Sequence, residues 1–155
     1  MARMIFVNLP VSDVARATAF YEALGFRRNP MFSNEQASAM VWSDEINVML
    51  LDRAFYATFT DKTLIDAHTT SGVLLAISQD SREEVDAITE AALAAGGRET
   101  RDRQDMGYMY GRAFEDPDGH VWEPMFMDMA AAQQAMAQPD TTAASIRFGG
   151  TCLRP

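Results

Sequence analysis

Apolar and polar positions recur along this chain in an order that is run through twice. Residues 4–9 (MIFVNL) form a mostly apolar stretch that reads as a buried strand, with Pro10 closing it. Ser12 stands where an N-cap is wanted, and Val14, Ala17, Thr18, Tyr21 and Leu24 fall at helical spacing up to Gly25. That pattern predicts a helix over 13–24. Residues 26–32 read as a strand, and 37–43 with 46–51 as a hairpin turned by Ser43, Asp44 and Glu45. Residues 53–71 have weak periodicity and read as a connector with a short helix. The order then begins again. Residues 72–78 (GVLLAIS) are a second apolar strand, and Ser81 with Glu84 has the spacing of a capping box. Val85, Ile88, Ala92 and Leu93 make one apolar stripe before Gly96 and Gly97 stop the helix. Residues 98–101, 108–115 and 121–127 read as three further strands.

The second run starts roughly 70 residues after the first, which is the signature of an internal duplication. A module this small cannot cover both faces of its own sheet, so the two copies should share a core. The organisation read from the chain is a first βαβββ module at 1–52, a connector at 53–71, a second βαβββ module at 72–127, and a C-terminal helix and tail at 128–155, all in one domain. The Ala-, Met- and Gln-rich stretch after Asp128 favours helix until Pro139. A further strand is expected at 145–148.

Composition narrows the classes. At 155 residues with 48% hydrophobic content, one domain with a substantial core is expected. The formal net charge of −9 argues against nucleic acid or an anionic membrane surface as partner, because both need a positive patch. The N-terminal apolar run is too short to span a bilayer, so a cytoplasmic protein is expected. The lone Cys152 cannot form an internal disulfide and reads as a reduced thiol. The 11 methionines are flexible fillers suited to a core, a dimer interface or a cavity wall.

Three segments carry a resemblance: VNLPVSDVARATAFYEALGF at 7–26, LLAISQDSREEVDAITEAALAAGG at 74–97 and GRAFEDPDGHVWEPMF at 111–126. Taken in order, they resemble the vicinal oxygen chelate superfamily, the glyoxalase, bleomycin-resistance and dioxygenase group. The stretch at 105–112 is similar to its predicted lactoylglutathione-lyase-like branch. The resemblance implies an α+β fold of two βαβββ modules whose curved mixed sheets form a cavity, with modules commonly pairing between chains. It therefore implies a homodimer and a small-molecule ligand.

The third segment also yields to geometry. Pro117 presets φ in a turn and Gly119 accepts positive φ, so a tight hairpin forms there. Pairing Glu115 with His120 would set Arg112 opposite Glu123 and Tyr110 opposite Met125. Strand alternation then puts Val121, Glu123 and Met125 on one face, with Trp122 and Phe126 on the other under a helix. Glu123 would face the concave side, as a ligand-facing or catalytic carboxylate or as the ion-pair partner of Arg112. Tyr108, Tyr110 and Arg112 alternate onto one face, where they either grip a ligand or cover the sheet. Asn8, polar in an apolar strand, either lines the cavity or satisfies backbone in the core. His120 and His68 read as exposed turn and connector residues.

Metal-dependent members of the resembled superfamily hold a divalent ion with four side chains, mostly His and Glu. Here the first position falls on Phe6 or Asn8, the second near Gly72 or Val73, and the third among Asn47, Val48 and Met49. Only Glu123 matches, and one carboxylate does not hold zinc or nickel. No metal or other cofactor is expected, a divalent ion recruiting His68 or His120 being the alternative.

Two functions stay open at this point. One is a lyase- or isomerase-like enzyme with Glu123 as general base, Asn8, Tyr108, Tyr110, Arg112 and Met125 around the substrate, and Arg112 or Tyr110 stabilising an enolate. The other, implied by the resemblance to the bleomycin-resistance group, is a non-catalytic dimer that sequesters a small molecule such as a cationic drug in a cleft of acidic and aromatic groups; the net charge, the methionines and Trp42, Trp122, Tyr108 and Tyr110 are compatible with it. An empty structural or regulatory dimer is a third possibility.

Overall fold

Strand β1 (Ile5–Val11) runs straight through Pro10 and pairs in parallel with β4 (Ile46–Asp52), with Asn8 opposite Met49 and Pro10 opposite Leu51. Strand β1 lies at the edge of its sheet, and an edge strand tolerates a residue without an N–H. The expected strand end at Pro10 is corrected accordingly. Asp13, not Ser12, caps helix α1 (Val14–Ala23), its carboxylate accepting from the Arg16 N–H at 3.0 Å. The structure, a computed structural model, describes residues 1–138. The expectations for 139–155, including the strand at 145–148 and the thiol of Cys152, lie outside the described residues.

Strand β2 (Arg27–Asn29) is shorter than the pattern predicted. Asn29 turns its side chain onto the Met31 N–H, and Pro30 opens a 3₁₀ turn at Pro30–Phe32 that takes the chain off the sheet. Strand β3 (Ala37–Val41) then pairs antiparallel with β4, completing a sheet in the order β1-β4-β3-β2. The connector contains helix α2 (Arg53–Tyr56) and a 3₁₀ turn at Ala57–Phe59.

The second module repeats the first. Strand β5 (Leu74–Ser78) precedes helix α3 (Arg82–Ala94), and β6 (Arg98–Asp105), β7 (Met109–Glu115) and β8 (Val121–Met127) follow. The sheet order is β5-β8-β7-β6, with β5 parallel to β8. Ser81 caps α3 through the Glu84 N–H, whereas the Glu84 carboxylate reaches back one residue further than a capping box requires, to the Asp80 N–H at 2.9 Å. Helix α4 (Met129–Ala137) follows Asp128, which caps it. No helix among the described residues is long and apolar enough to cross a membrane.

Both sheets turn one face towards a single apolar core. Val7, Leu9, Val11, Val48 and Leu50 from the first sheet meet Ile77, Phe114 and Trp122 from the second, with Phe20 and Tyr21 of α1 and Ile88 and Ala92 of α3 packed among them. The opposite faces, carrying Asn8 and Ala76 among others, are left exposed. A polar network ties the modules together inside this core. The Tyr21 hydroxyl donates to Asp116 at 2.6 Å and accepts from the Trp122 indole at 2.9 Å. Asp116 also accepts from the backbone N–H groups of Asp118 and His120. His120 is buried, contrary to the expected exposed turn residue. Its Nε2 donates to the Pro10 carbonyl at 2.7 Å, a bond that only closure of the second module onto β1 creates.

Candidate functional site

An apolar hollow stands on the open face of the first sheet. Asn8 of β1, Ala37 of β3, and Met49 and Leu51 of β4 form its floor. Alternation dictates this, since Val7, Leu9, Val48 and Leu50 on the same strands point into the core. The walls come from two irregular segments. The Pro30–Phe32 turn brings Met31 and Phe32, and the connector brings Phe55, Tyr56 and Phe59. Asp52 starts the connector helix by accepting from the N–H groups of Ala54 and Phe55. Helical spacing then sets Phe55 and Phe59 on one side, where their rings meet edge-on with centroids 5.1 Å apart.

The chamber holds about 520 Å³. A second hollow of about 290 Å³ adjoins it, and Asn8, Tyr56 and Thr60 line both. The second is bounded by Pro10, Lys62, Thr63 and Ile65, with Val73 and His120 from the second module. Cavities of this size and apolar character suit drug-sized ligands.

The open face of the second sheet is built differently. Ala76 lies beside Glu123, and Ala113, between the paired positions Phe114–Trp122 and Gly111–Met125, faces Glu123 from the other side. Arg101 pairs with Ala113 on β6. The methyl group of Ala113 is low enough for Arg101 to pass over it and reach Glu123, Nη1 to Oε1, at 2.6 Å. Met125 shares this face two residues along β8.

The register of this hairpin differs by one residue from the expected one. Glu115 pairs with Val121 and Tyr110 with Phe126, so Arg112 stands on the opposite face from Glu123 and does not pair with it. The turn makes the difference, because Asp116 bonds backbone to backbone with His120 and takes His120 into the loop. Arg112 faces α3, where it is 5% exposed and held by Asp86 at 3.0 Å, Glu90 at 2.8 Å and Glu99 at 2.9 Å. The hydrogen bond to Glu99, ahead of those to Glu90 and Asp86, raises its pKa against the effect of burial. The Tyr110 hydroxyl donates to Asp86 at 2.7 Å, and burial, then Asp86, pushes its pKa up. Arg112 and Tyr110 thus join helix to sheet. Tyr108 lies half-buried in the turn before β7, its carbonyl accepting from Asp128.

Of the residues singled out in the sequence, Asn8 lies in the chamber, while Glu123 and Met125 share the other sheet's open face. Met31, Phe32, Phe55, Tyr56 and Phe59 were missed. The cluster of aromatics after Asp52 was the available signal, hidden in a segment without clear periodicity.

Matching the two modules row by row places Asn8 and Met49 on neighbouring first and fourth strands, and Ala76 and Glu123 likewise. An amide, a thioether, a methyl group and one carboxylate already bonded by Arg101 are a poor donor set for a divalent ion. Among the described residues no three His, Cys, Asp or Glu side chains converge elsewhere.

Residues 3–123 match the family model described as Glyoxalase/Bleomycin resistance protein/Dioxygenase superfamily. Among solved structures, the fold is similar to a hypothetical protein, SA1046, from S. aureus, at 24% identity and a TM-score of 0.69, covering 81% of this chain and 94% of that one. It is similar to a glyoxalase/bleomycin resistance protein/dioxygenase family enzyme from Burkholderia phytofirmans PsJN, at 21% identity and a TM-score of 0.67, covering 82% and 100%. It is also similar to TnmS3, an antibiotic binding protein from Streptomyces sp. CB03234, at 20% identity and a TM-score of 0.57, covering 83% and 98%. No curated protein matched.

Proposed function

The chain belongs to the glyoxalase/bleomycin resistance protein/dioxygenase superfamily, and from that premise we propose that it is a small-molecule binding protein, holding an apolar ligand in the chamber on its first sheet and acting as a homodimer. The observation that carries this reading is the chamber wall. Aromatic and thioether side chains line it, with Tyr56 its one ionisable residue. That wall supports binding and gives acid–base chemistry little to work with. Burying about 200 Å² of a ring system at about 25 cal/mol per Å² supplies about 5 kcal/mol before the costs of association. The description of TnmS3 as an antibiotic binding protein is in keeping with a sequestering role on this fold. Lyase-like use of Glu123 has less support, since its carboxylate would have to leave Arg101 before taking a proton.

The homodimer rests on two edge strands. β1 and β5 each have one unpaired side, and Ile5, Phe6, Val73 and Leu74 on and beside them are more than half exposed. Apolar edges left open in this way recruit other chains. Pairing β1 of one copy with β5 of the next would enclose both open faces. Light scattering should return twice the chain mass, and Phe6→Glu should halve it; a monomer for the parent protein would refute the pairing.

The binding reading is tested by thermal shift and calorimetry with naphthalene-bodied compounds. Tight binding lost in Phe55→Ala and Phe59→Ala, both of which should stay folded, is expected. Equal binding by these variants would move the site elsewhere.

A further inference from the structure

We propose that the ligand is an anion, an apolar aromatic-sized body ending in a carboxylate that meets Lys62. This rests on the preceding reading that the chamber binds a small molecule, and it adds the charge of that molecule. The chain has 22 acidic residues against 13 basic ones, so its surface is strongly negative. Yet no Asp or Glu lines either hollow, and the one Lys or Arg side chain there is Lys62. His120 contributes only at the edge, its Nε2 committed to the Pro10 carbonyl.

Lys62 is the single lysine of the sequence. Among the described residues it joins no ion pair, although every other salt bridge here uses an arginine. Its position is set by a local turn, in which the Thr60 hydroxyl accepts from the Lys62 N–H at 3.1 Å. Thr60, Tyr56 and Asn8 form the waist shared by the two hollows. They place two hydroxyls and an amide between the apolar chamber and the ammonium group. A ligand lying through that waist would bury its rings among Phe55, Phe59 and Met49 and lead its carboxylate past these donors to Lys62.

The net charge of the whole protein would draw cations from a distance, in keeping with the cationic drug that the resemblance to the bleomycin-resistance group implies. That field is screened over about 8 Å at physiological salt, whereas the lining acts at contact. The two scales therefore predict ligands of opposite sign, and contact decides affinity.

The experiment uses the full chain and three probes with one aromatic body: 2-naphthylacetate, 2-naphthylacetamide and 2-(2-naphthyl)ethylamine. Calorimetry should show the acid binding about two- to fivefold tighter than the amide and the amine, as an ion pair with an exposed lysine allows. Lys62→Met should bring the acid down to the amide and leave the amide unchanged, and Lys62→Arg should keep the preference. Because the chain has one lysine, acetylation of its side chain is read from a single peptide; the acid should protect it and the amine should not. An amine that binds as well as the acid, or a preference that survives Lys62→Met, overturns the proposal. Equal binding of all three leaves the chamber standing and removes the charge argument. Binding of none of the three at millimolar concentration removes both.

Discussion

Tyr21→Phe tests the joint between the two modules. The substitution keeps the ring, which lies fully buried among Phe20, Phe26 and Trp122, and removes one oxygen atom. That oxygen serves two partners, donating to Asp116 at 2.6 Å and accepting from the Trp122 indole at 2.9 Å. The Trp122 indole N–H and the Asp116 Oδ2 lose this partner in the core, where each residue is 2% exposed, while Asp116 Oδ1 keeps the Asp118 and His120 N–H groups. A hydrogen bond to a charged group contributes about 1.5–3 kcal/mol, and an orphaned neutral donor costs about 1–3 kcal/mol. The expected loss is therefore about 3–5 kcal/mol, a large part of a domain's total stability. It should lower Tm by about 6–20 °C for a chain of this length. The deficit should depend on pH. Burial pushes the Asp116 carboxyl above its ordinary 3.8, against the pull of His120 and of the hydrogen bonds from Tyr21 and the His120 N–H, which hold it down. A raised folded pKa means that the associated stability is complete below 3.8 and is lost as pH rises through the folded value. Without Tyr21 to donate, the pKa rises further, so the variant should be closer to the parent at pH 5 than at pH 7. Urea melts followed by tryptophan fluorescence at both pH values measure this. A loss below about 1 kcal/mol would show that the network is not what welds the modules. An equal loss at the two pH values would show that Asp116 is not its ionisable centre.

Three other measurements probe separate parts of the structure. Gly119 has φ +88°, and a Cβ there would come within 2.6 Å of the Ala67 and His68 backbone; Gly119→Ala should cost about 2 kcal/mol or more and raise proteolysis of the connector, and an unchanged urea midpoint would refute the contact. Arg112→Met leaves Asp86, Glu90 and Glu99 facing one another without their cation; with these partners at 43%, 63% and 32% exposure, water offsets part of the cost and about 2–3 kcal/mol is expected at pH 7. Glu99 is held below its ordinary pKa by Arg112, and Asp86, though burial pushes the other way, by Tyr110 and Arg112, so that stability is present above the ordinary carboxylate range and the gap between parent and variant should narrow as pH falls through it. Asp105, bonded first by Arg82 and then by the Gly107 N–H, should titrate at about 2 by carboxyl NMR and return towards 3.8 in Arg82→Gln; a parent value near 3.8 would refute the bidentate pair.

The duplicated order of strands and helices was legible because each element carries a local signal: an alternation, a cap or a glycine stop. The faces of β8 were legible for the same reason, and Trp122 lies in the core as its position implied. The hairpin register was not. Taking His120 as the first paired residue moves every partner by one place, and it is the Asp116–His120 backbone bond, with the Asp116 carboxylate on the Asp118 and His120 N–H groups, that puts His120 in the loop. The roles of Arg112 and Tyr110 changed with it, since a one-residue slip exchanges the faces of a strand. The chamber was least legible. Its walls join residues of β1, β3 and β4 to two irregular segments, and no sequence period links Met31 to Phe59.

The two open faces show one duplicated scaffold closing one face and leaving the other hollow. In the second module the row across the sheet reads Ala76, Glu123, Ala113, Arg101, where small residues let a long arginine lie flat and neutralise the carboxylate. In the first module the matching row reads Asn8, Met49, Ala39, Asn29. A thioether replaces the carboxylate and nothing long crosses the sheet, so the face stays hollow. Asn29, which holds the place of Arg101, turns its side chain onto the Met31 N–H and helps lift Met31 and Phe32 over that face instead. The same row position thus closes one face with an ion pair and raises a wall around the other. The charge of the chain follows this division. Acids gather on the second module's helix and strands, where arginines meet them, and none lines the hollow of the first.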